Sequence, residues 1–161
     1  MYTPDNLKEL TALFAKYGAK APESWARSQL DEGIPQLQRF LFLRQAWSQV
    51  VRTGDEEWIQ RWRQAAERDH DGSHAPVAHA LKTCLEKGVS AKELVNIVRG
   101  VQSEFLFQLC YLLEDPMFTE EELQNFSWGL FEVDKDGDPI GPRIFALHES
   151  VYETDPMRER S

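Results

Sequence analysis

Residues 90–115, SAKELVNIVRGVQSEFLFQLCYLLED, limit the fold more than any other stretch of the chain. Ser90 followed by Glu93 is a capping box, in which hydroxyl and carboxylate each satisfy a backbone N–H at the start of a helix. Leu94, Val98, Val101, Phe105, Leu109 and Leu112 then recur at helical spacing and predict one apolar face. Asn96, Arg99 and Ser103 lie opposite in the first half, whereas Phe107, Cys110 and Tyr111 make the second half apolar all round. The expectation is one long helix, its first half at the surface and its second half running through the interior. Pro116 disfavours helical geometry at Asp115 and should end it.

Helices are expected on either side. Thr3-Pro4 opens the first, with Leu7, Leu10, Phe14 and Tyr17 inward and Gly18 as its stop. Ala21-Pro22 opens a second, carrying Trp25 and Leu30 and ended by Gly33. Ile34-Pro35 opens a third to about Arg52, with Leu37, Phe40, Leu41, Leu43, Trp47, Val50 and Val51. Thr53 and Glu56 form another capping box, for a helix to Arg68 with Trp58, Ile59, Trp62, Ala65 and Ala66 inward. Pro76 begins a helix to Lys87, ended by Gly88, with Val77, Leu81, Cys84 and Leu85 inward. Thr119 and Glu122 suggest a third box, for a short helix holding Leu123 and Phe126.

Beyond that point the period changes. Residues 127–133 alternate, Asp136-Gly137 is a tight-turn signal, and residues 140–145 read as the return strand. Pro139 and Pro142 confine that strand to an edge. Residues 147–152 form a last helical turn, and 153–161 a charged, frayed tail. The fold class is mainly α: a single-domain helical bundle of six or seven helices over residues 1–126. A small β-hairpin and an acidic segment occupy residues 127–161.

The net charge of −9 is unevenly spread. Residues 1–103 are close to neutral, whereas 104–161 hold 14 acidic and 4 basic side chains. That balance argues against a phosphate-backbone binder and against anionic membrane surfaces. Arg61, Arg63 and Arg68 beside Trp58 and Trp62 read as arginines snorkelling around buried indoles, so nucleic acid is not expected as a partner. The opening MYTPDNLKEL shows no signal peptide, and no apolar run is long enough to span a membrane, so the cytoplasm is the expected compartment. Cys84 and Cys110 read as small buried hydrophobes, with no CxxC to hold zinc.

No catalytic motif is complete. Asp134, Asp136 and Asp138 begin like a calcium loop, but Pro139 stands at its sixth position and Phe145 at its twelfth. His148-Glu149 begins the H-E-x-x-H pattern, but Tyr152 replaces the second histidine. Asp69, His70, Asp71, His74 and His79 are the densest ligand-like cluster, without a known metal spacing. Glu104 borders the apolar stripe and is the one carboxylate expected to be partly buried. No catalytic, cofactor-binding or metal residue is therefore assigned, and no cofactor. The leading expectation is a non-enzymatic binding protein whose acidic residues between 120 and 138 meet a basic protein surface. One alternative is a metal-dependent enzyme around residues 69–79. Another is a small-molecule binder with a pocket lined by Trp47, Trp58 or Trp62.

Overall fold

The computed structural model describes residues 4–69 and 72–158. Among them it is mainly helical, with seven α-helices, one 3-10 turn and a two-stranded antiparallel hairpin. The order is α1 (Leu7–Lys16), α2 (Pro22–Glu32), α3 (Gln36–Trp47), α4 (Glu57–Arg68), α5 (Ala75–Glu86), α6 (Ala91–Leu112), the 3-10 turn Glu121–Leu123, β1 (Leu130–Val133), β2 (Pro139–Ile144) and α7 (Leu147–Ser150). The chain forms two compact units, residues 1–48 with 106–161, and residues 49–105.

In the first unit α1 packs on α2, α2 on α3, and α3 on α7. Its core gathers Leu10, Phe14, Trp25, Ala26, Leu37 and Phe40. The Phe14 ring lies 6.0 Å from Trp25 and 5.7 Å from Phe40, the second contact edge-on. Such pairs add directional attraction to the apolar area that they bury. α1 is capped by Asn6, whose side chain accepts from Glu9 N; the expected opening at Thr3 lies outside the described residues. α2 starts at Pro22 and ends at Gly33, whose φ of 71° suits a residue without Cβ. Of the residues on α2, Trp25 and Ala26 are buried and Leu30 is exposed.

α3 ends at Trp47, short of Arg52. Its apolar stripe is buried as expected, but so are Gln36 and Arg39. Arg39 is 3% exposed. One of its terminal nitrogens donates to Ala146 O at 2.6 Å and to Ser150 Oγ at 2.8 Å. Trp47 Nε1 donates to Val151 O at 2.9 Å. These bonds tie α7 to α3, and two of them pair backbone carbonyls that would otherwise lack partners. Residues 153–158 are held rather than frayed, because Lys20 Nζ donates to the carbonyls of Asp155 and Arg158.

In the second unit α4 packs on α5, and Trp58, Ile59, Leu81, Leu94 and Val95 form the core. Asp55, one residue before the N-cap Glu56, accepts from Glu57 N at 3.1 Å; the expected Thr53–Glu56 box does not form. Val77 is exposed, and Ala78 takes the inward position on α5. The Ser90–Glu93 box does form, with Ser90 N 2.9 Å from Glu93 Oε2 and Glu93 N 3.2 Å from Ser90 Oγ.

α6 departs most from the sequence expectation. Val101 and Phe105 are each 66% exposed and Ile97 60%, while Leu109, Tyr111 and Leu112 are also exposed. The second half therefore does not run all-round buried; Leu106 and Cys110 are fully buried there and Phe107 is half-buried. Val95, Arg99, Gln102, Leu106 and Cys110 share one helical face. Its two polar members are not solvent-facing ornaments. Gln102 Oε1 accepts from Val51 N at 2.8 Å, and Arg99 donates to Val51 O at 2.8 Å. They satisfy the backbone of the segment between α3 and α4, so beyond Leu94 the inward face passes through them, and Val101 and Phe105 turn outward.

Candidate functional site

The surface that combines charge with exposed apolar groups lies in residues 117–140. Its backbone is set by two local devices. Asp115 Oδ1 accepts from Met117 N at 2.8 Å, turning the chain past Pro116 and placing Met117 at φ 53°. Trp128 Nε1 then donates to Leu112 O at 2.7 Å, which fastens the far end of the loop to the last turn of α6. Between these points the expected Thr119–Glu122 box is absent. Thr119 N faces Glu120 Oε2, and the chain makes only a 3-10 turn with Leu123 exposed.

Phe118, Phe126 and Trp128 consequently meet one another, with centroids 5.8–6.1 Å apart and all three pairs edge-on. Phe126 and Trp128 are exposed, as are Met117, Phe131, Val133 and Ile140. Glu120, Glu121 and Glu122 stand exposed beside them. Phe126, expected on a short helix, instead follows the 3-10 turn. The sequence signal for the cluster is three aromatic residues within eleven positions that lack a helical or alternating period.

The hairpin carries the second acidic group. Leu130 pairs with Ile144 and Glu132 with Ile140, so the single residue Phe131 opposes three on β2. Gly141, at φ 75°, absorbs this bulge, and Pro142 has no N–H to leave unpaired there. At the tip, Asp134 Oδ1 accepts from Asp136 N at 2.8 Å and from Asp138 N at 3.1 Å. The three aspartates thus build an exposed turn. Lys135, paired with Asp136 at 2.7 Å, is the one basic residue in 117–140, against seven acidic ones.

Among the described residues no group of three His, Cys, Asp or Glu side chains could hold a metal ion. His74 and His79 are exposed, His74 packing edge-on against Trp62 at 4.7 Å; His70 and Asp71 lie outside the described residues. Asp69 is exposed, and its carboxylate folds over Gly72. Glu104 is exposed, not partly buried, and so loses its claim as an acid–base group. His148 packs edge-on against Phe107 and Tyr111, and its Nδ1 lies 3.0 Å from Glu114 Oε2 without aligning as a hydrogen bond. That carboxylate accepts from Ala146 N at 3.0 Å, and Arg143 donates to Glu114 O at 2.6 Å. The group fastens the hairpin and α7 to the end of α6. Ala146, at φ 54°, is held in this left-handed bend from both sides, by Glu114 and by Arg39.

Both cysteines are free, Cys84 half-buried and Cys110 fully buried. Burial pushes the Cys110 thiol up to about 11, the opposite of what a nucleophile needs. Trp47 and Trp58 are core residues, and Trp62 is half-buried against the second core. The cavities described in the two units are lined by other side chains. No helix among the described residues is long and apolar enough to cross a membrane. Comparison with protein-family models, with curated proteins and with solved structures finds no match to this chain.

Proposed function

We propose that this chain is a non-enzymatic binding protein of the cytoplasm that docks a basic protein surface on residues 117–140. The observation that carries the reading is the exposed aromatic cluster of Phe126 and Trp128 set among Glu120, Glu121, Glu122 and the hairpin aspartates. Protein interfaces draw most of their energy from a few central aromatic or arginine anchors, and charge around them sets partner and association rate. An apolar centre with a net charge of −6 fits a partner that offers an apolar pocket ringed by lysine or arginine. Two free cysteines suit a reducing compartment.

The test is capture from lysate of the source organism with three baits: the native chain, Trp128→Ala, and a triple Glu120→Gln, Glu121→Gln, Glu122→Gln variant. The expected result is one basic partner retained by the native chain and lost by both variants. Binding of the purified pair should also weaken with added salt. A partner held equally by all three baits would overturn the reading.

A further inference from the structure

Within the first unit, α2, the start of α3 and α7 enclose an open cavity of about 420 Å³. Glu32, Glu149 and Glu153 stand on it, all exposed to solvent. Beneath them lie two buried polar side chains that do not complete their hydrogen bonding within the protein. Gln36 is 7% exposed; its amide nitrogen donates to Ser28 Oγ at 2.8 Å, but its Oε1 has no partner. Arg39 spends one terminal nitrogen on Ala146 and Ser150, while its Nε has none. Glu149 Oε2, 3.9 Å from that terminal nitrogen, is too far to hydrogen-bond it.

Leaving a donor of a buried guanidinium unpaired is unfavourable, as is an unpaired buried carbonyl. Burial pulls the Arg39 guanidinium below its usual value, opposed by Glu149, Glu114, Glu153 and Glu32. The lining therefore presents one cationic donor and one acceptor within a ring of three carboxylates. Trp25 and Ile34 add apolar wall.

We propose that this cavity binds a basic α-amino acid, such as arginine or lysine, either free or as the C-terminal residue of a peptide. Such a ligand carries two cationic groups and one carboxylate, the converse of the three carboxylates and one guanidinium of the cavity. Its carboxylate takes the unpaired Nε of Arg39, its α-amino group the Gln36 Oε1, and its side-chain cation Glu32 and Glu153. A peptide C-terminus offers the same carboxylate and side-chain cation, with its backbone N–H in place of the amino group. Both atoms are buried, so binding requires the side chains that line the cavity to move aside. The volume is in the range that holds a molecule of this size. This site is separate from the surface at residues 117–140, and either assignment stands without the other.

The test is titration calorimetry on the full chain with L-arginine, L-lysine and a short peptide ending in arginine. Norleucine, which lacks the side-chain cation, and agmatine, which lacks the carboxylate, are the comparison ligands. Saturable binding is expected for at least one of the free amino acids or the peptide. Free amino acids alone would identify a metabolite ligand, and the peptide alone a polypeptide terminus. Norleucine and agmatine should bind at least about tenfold more weakly, the factor that corresponds to 1.4 kcal/mol. Glu32→Gln and Glu153→Gln, both on exposed side chains, should each weaken binding about two- to fivefold without lowering the melting temperature. No saturation by about 10 mM with any of the three ligands would overturn the proposal. So would agmatine equal to arginine, or unchanged affinity in both rim variants.

Discussion

α1 and α6 carry apolar stripes of similar regularity, yet that of α1 is buried, whereas that of α6 is buried at Leu94 and faces solvent from Val101 on. Leu10 and Phe14 of α1 are fully buried, whereas Ile97, Val101 and Phe105 of α6 are the most exposed large aliphatic and aromatic side chains of their unit. The difference lies in what stands opposite. α1 faces other apolar side chains, Trp25, Leu37 and Phe40. α6 faces in part the backbone of Val51, whose N–H and carbonyl need polar partners, and Gln102 and Arg99 supply them. A regular apolar period thus marks a face that can be buried. The polar demand of the neighbouring backbone decides whether it is.

Paired truncations on the two helices give the largest expected effect. Phe14→Ala should cost about 3–5 kcal/mol, through lost transfer energy and the cavity left between Trp25 and Phe40. Phe105→Ala should change stability by no more than about 0.5 kcal/mol, because its ring is mostly in water already. Urea unfolding of both variants measures the contrast. A Phe105→Ala loss approaching that of Phe14→Ala would mean that the outer face of α6 is covered in solution.

The inward role of Gln102 sharpens the same comparison. Gln102→Leu makes α6 more apolar, and on periodicity alone it should be harmless. It leaves the Val51 N–H without its acceptor, so a loss of about 1–2 kcal/mol is expected. Asn96→Leu, at an exposed position of the same helix, should stay within about 0.5 kcal/mol. Equal effects at the two positions would contradict the inward assignment of Gln102.

Elements were legible in the sequence wherever local chemistry suffices. The Ser90–Glu93 box needs only four residues, and Pro22, Gly33 and the Asp136-Gly137 turn act through their own backbone preferences. The stripes of α1 and α3 were legible because each meets apolar neighbours on its inward side. What escaped were polar residues used at long range. Gln36, Arg39, Arg99 and Gln102 each answer a backbone or side-chain group distant in sequence or in another element, and periodicity counts them as solvent-facing. Gln36 and Arg39 do share the helical face of Leu43 and Trp47, a spacing that could have signalled their burial. The acidic segment was visible as composition. Its aromatic cluster was not, because it arises from a loop pinned by Trp128 to Leu112 rather than from a repeating pattern.

The smallest effect tests the one part of α6 that followed local rules from the start. The Glu93 carboxyl is held below its usual range first by the Ser90 N–H and then by the Ser90 hydroxyl. A carboxyl whose folded value is depressed contributes stability that is complete above its unfolded value, here 4.5, and is lost as pH falls through the folded value. Ser90→Ala should cost about 1 kcal/mol at neutral pH, the usual effect of losing a capping hydroxyl. Glu93→Gln retains the shape but not the charge, so it should melt below the native chain at pH 7. The two melting temperatures should converge as pH drops below the ordinary carboxylate range. Melting curves of both proteins, taken from neutral pH down to the lowest pH at which they remain folded, decide the matter. A gap that stays constant across that range would show that the box acts through shape alone and that the charge on Glu93 adds nothing.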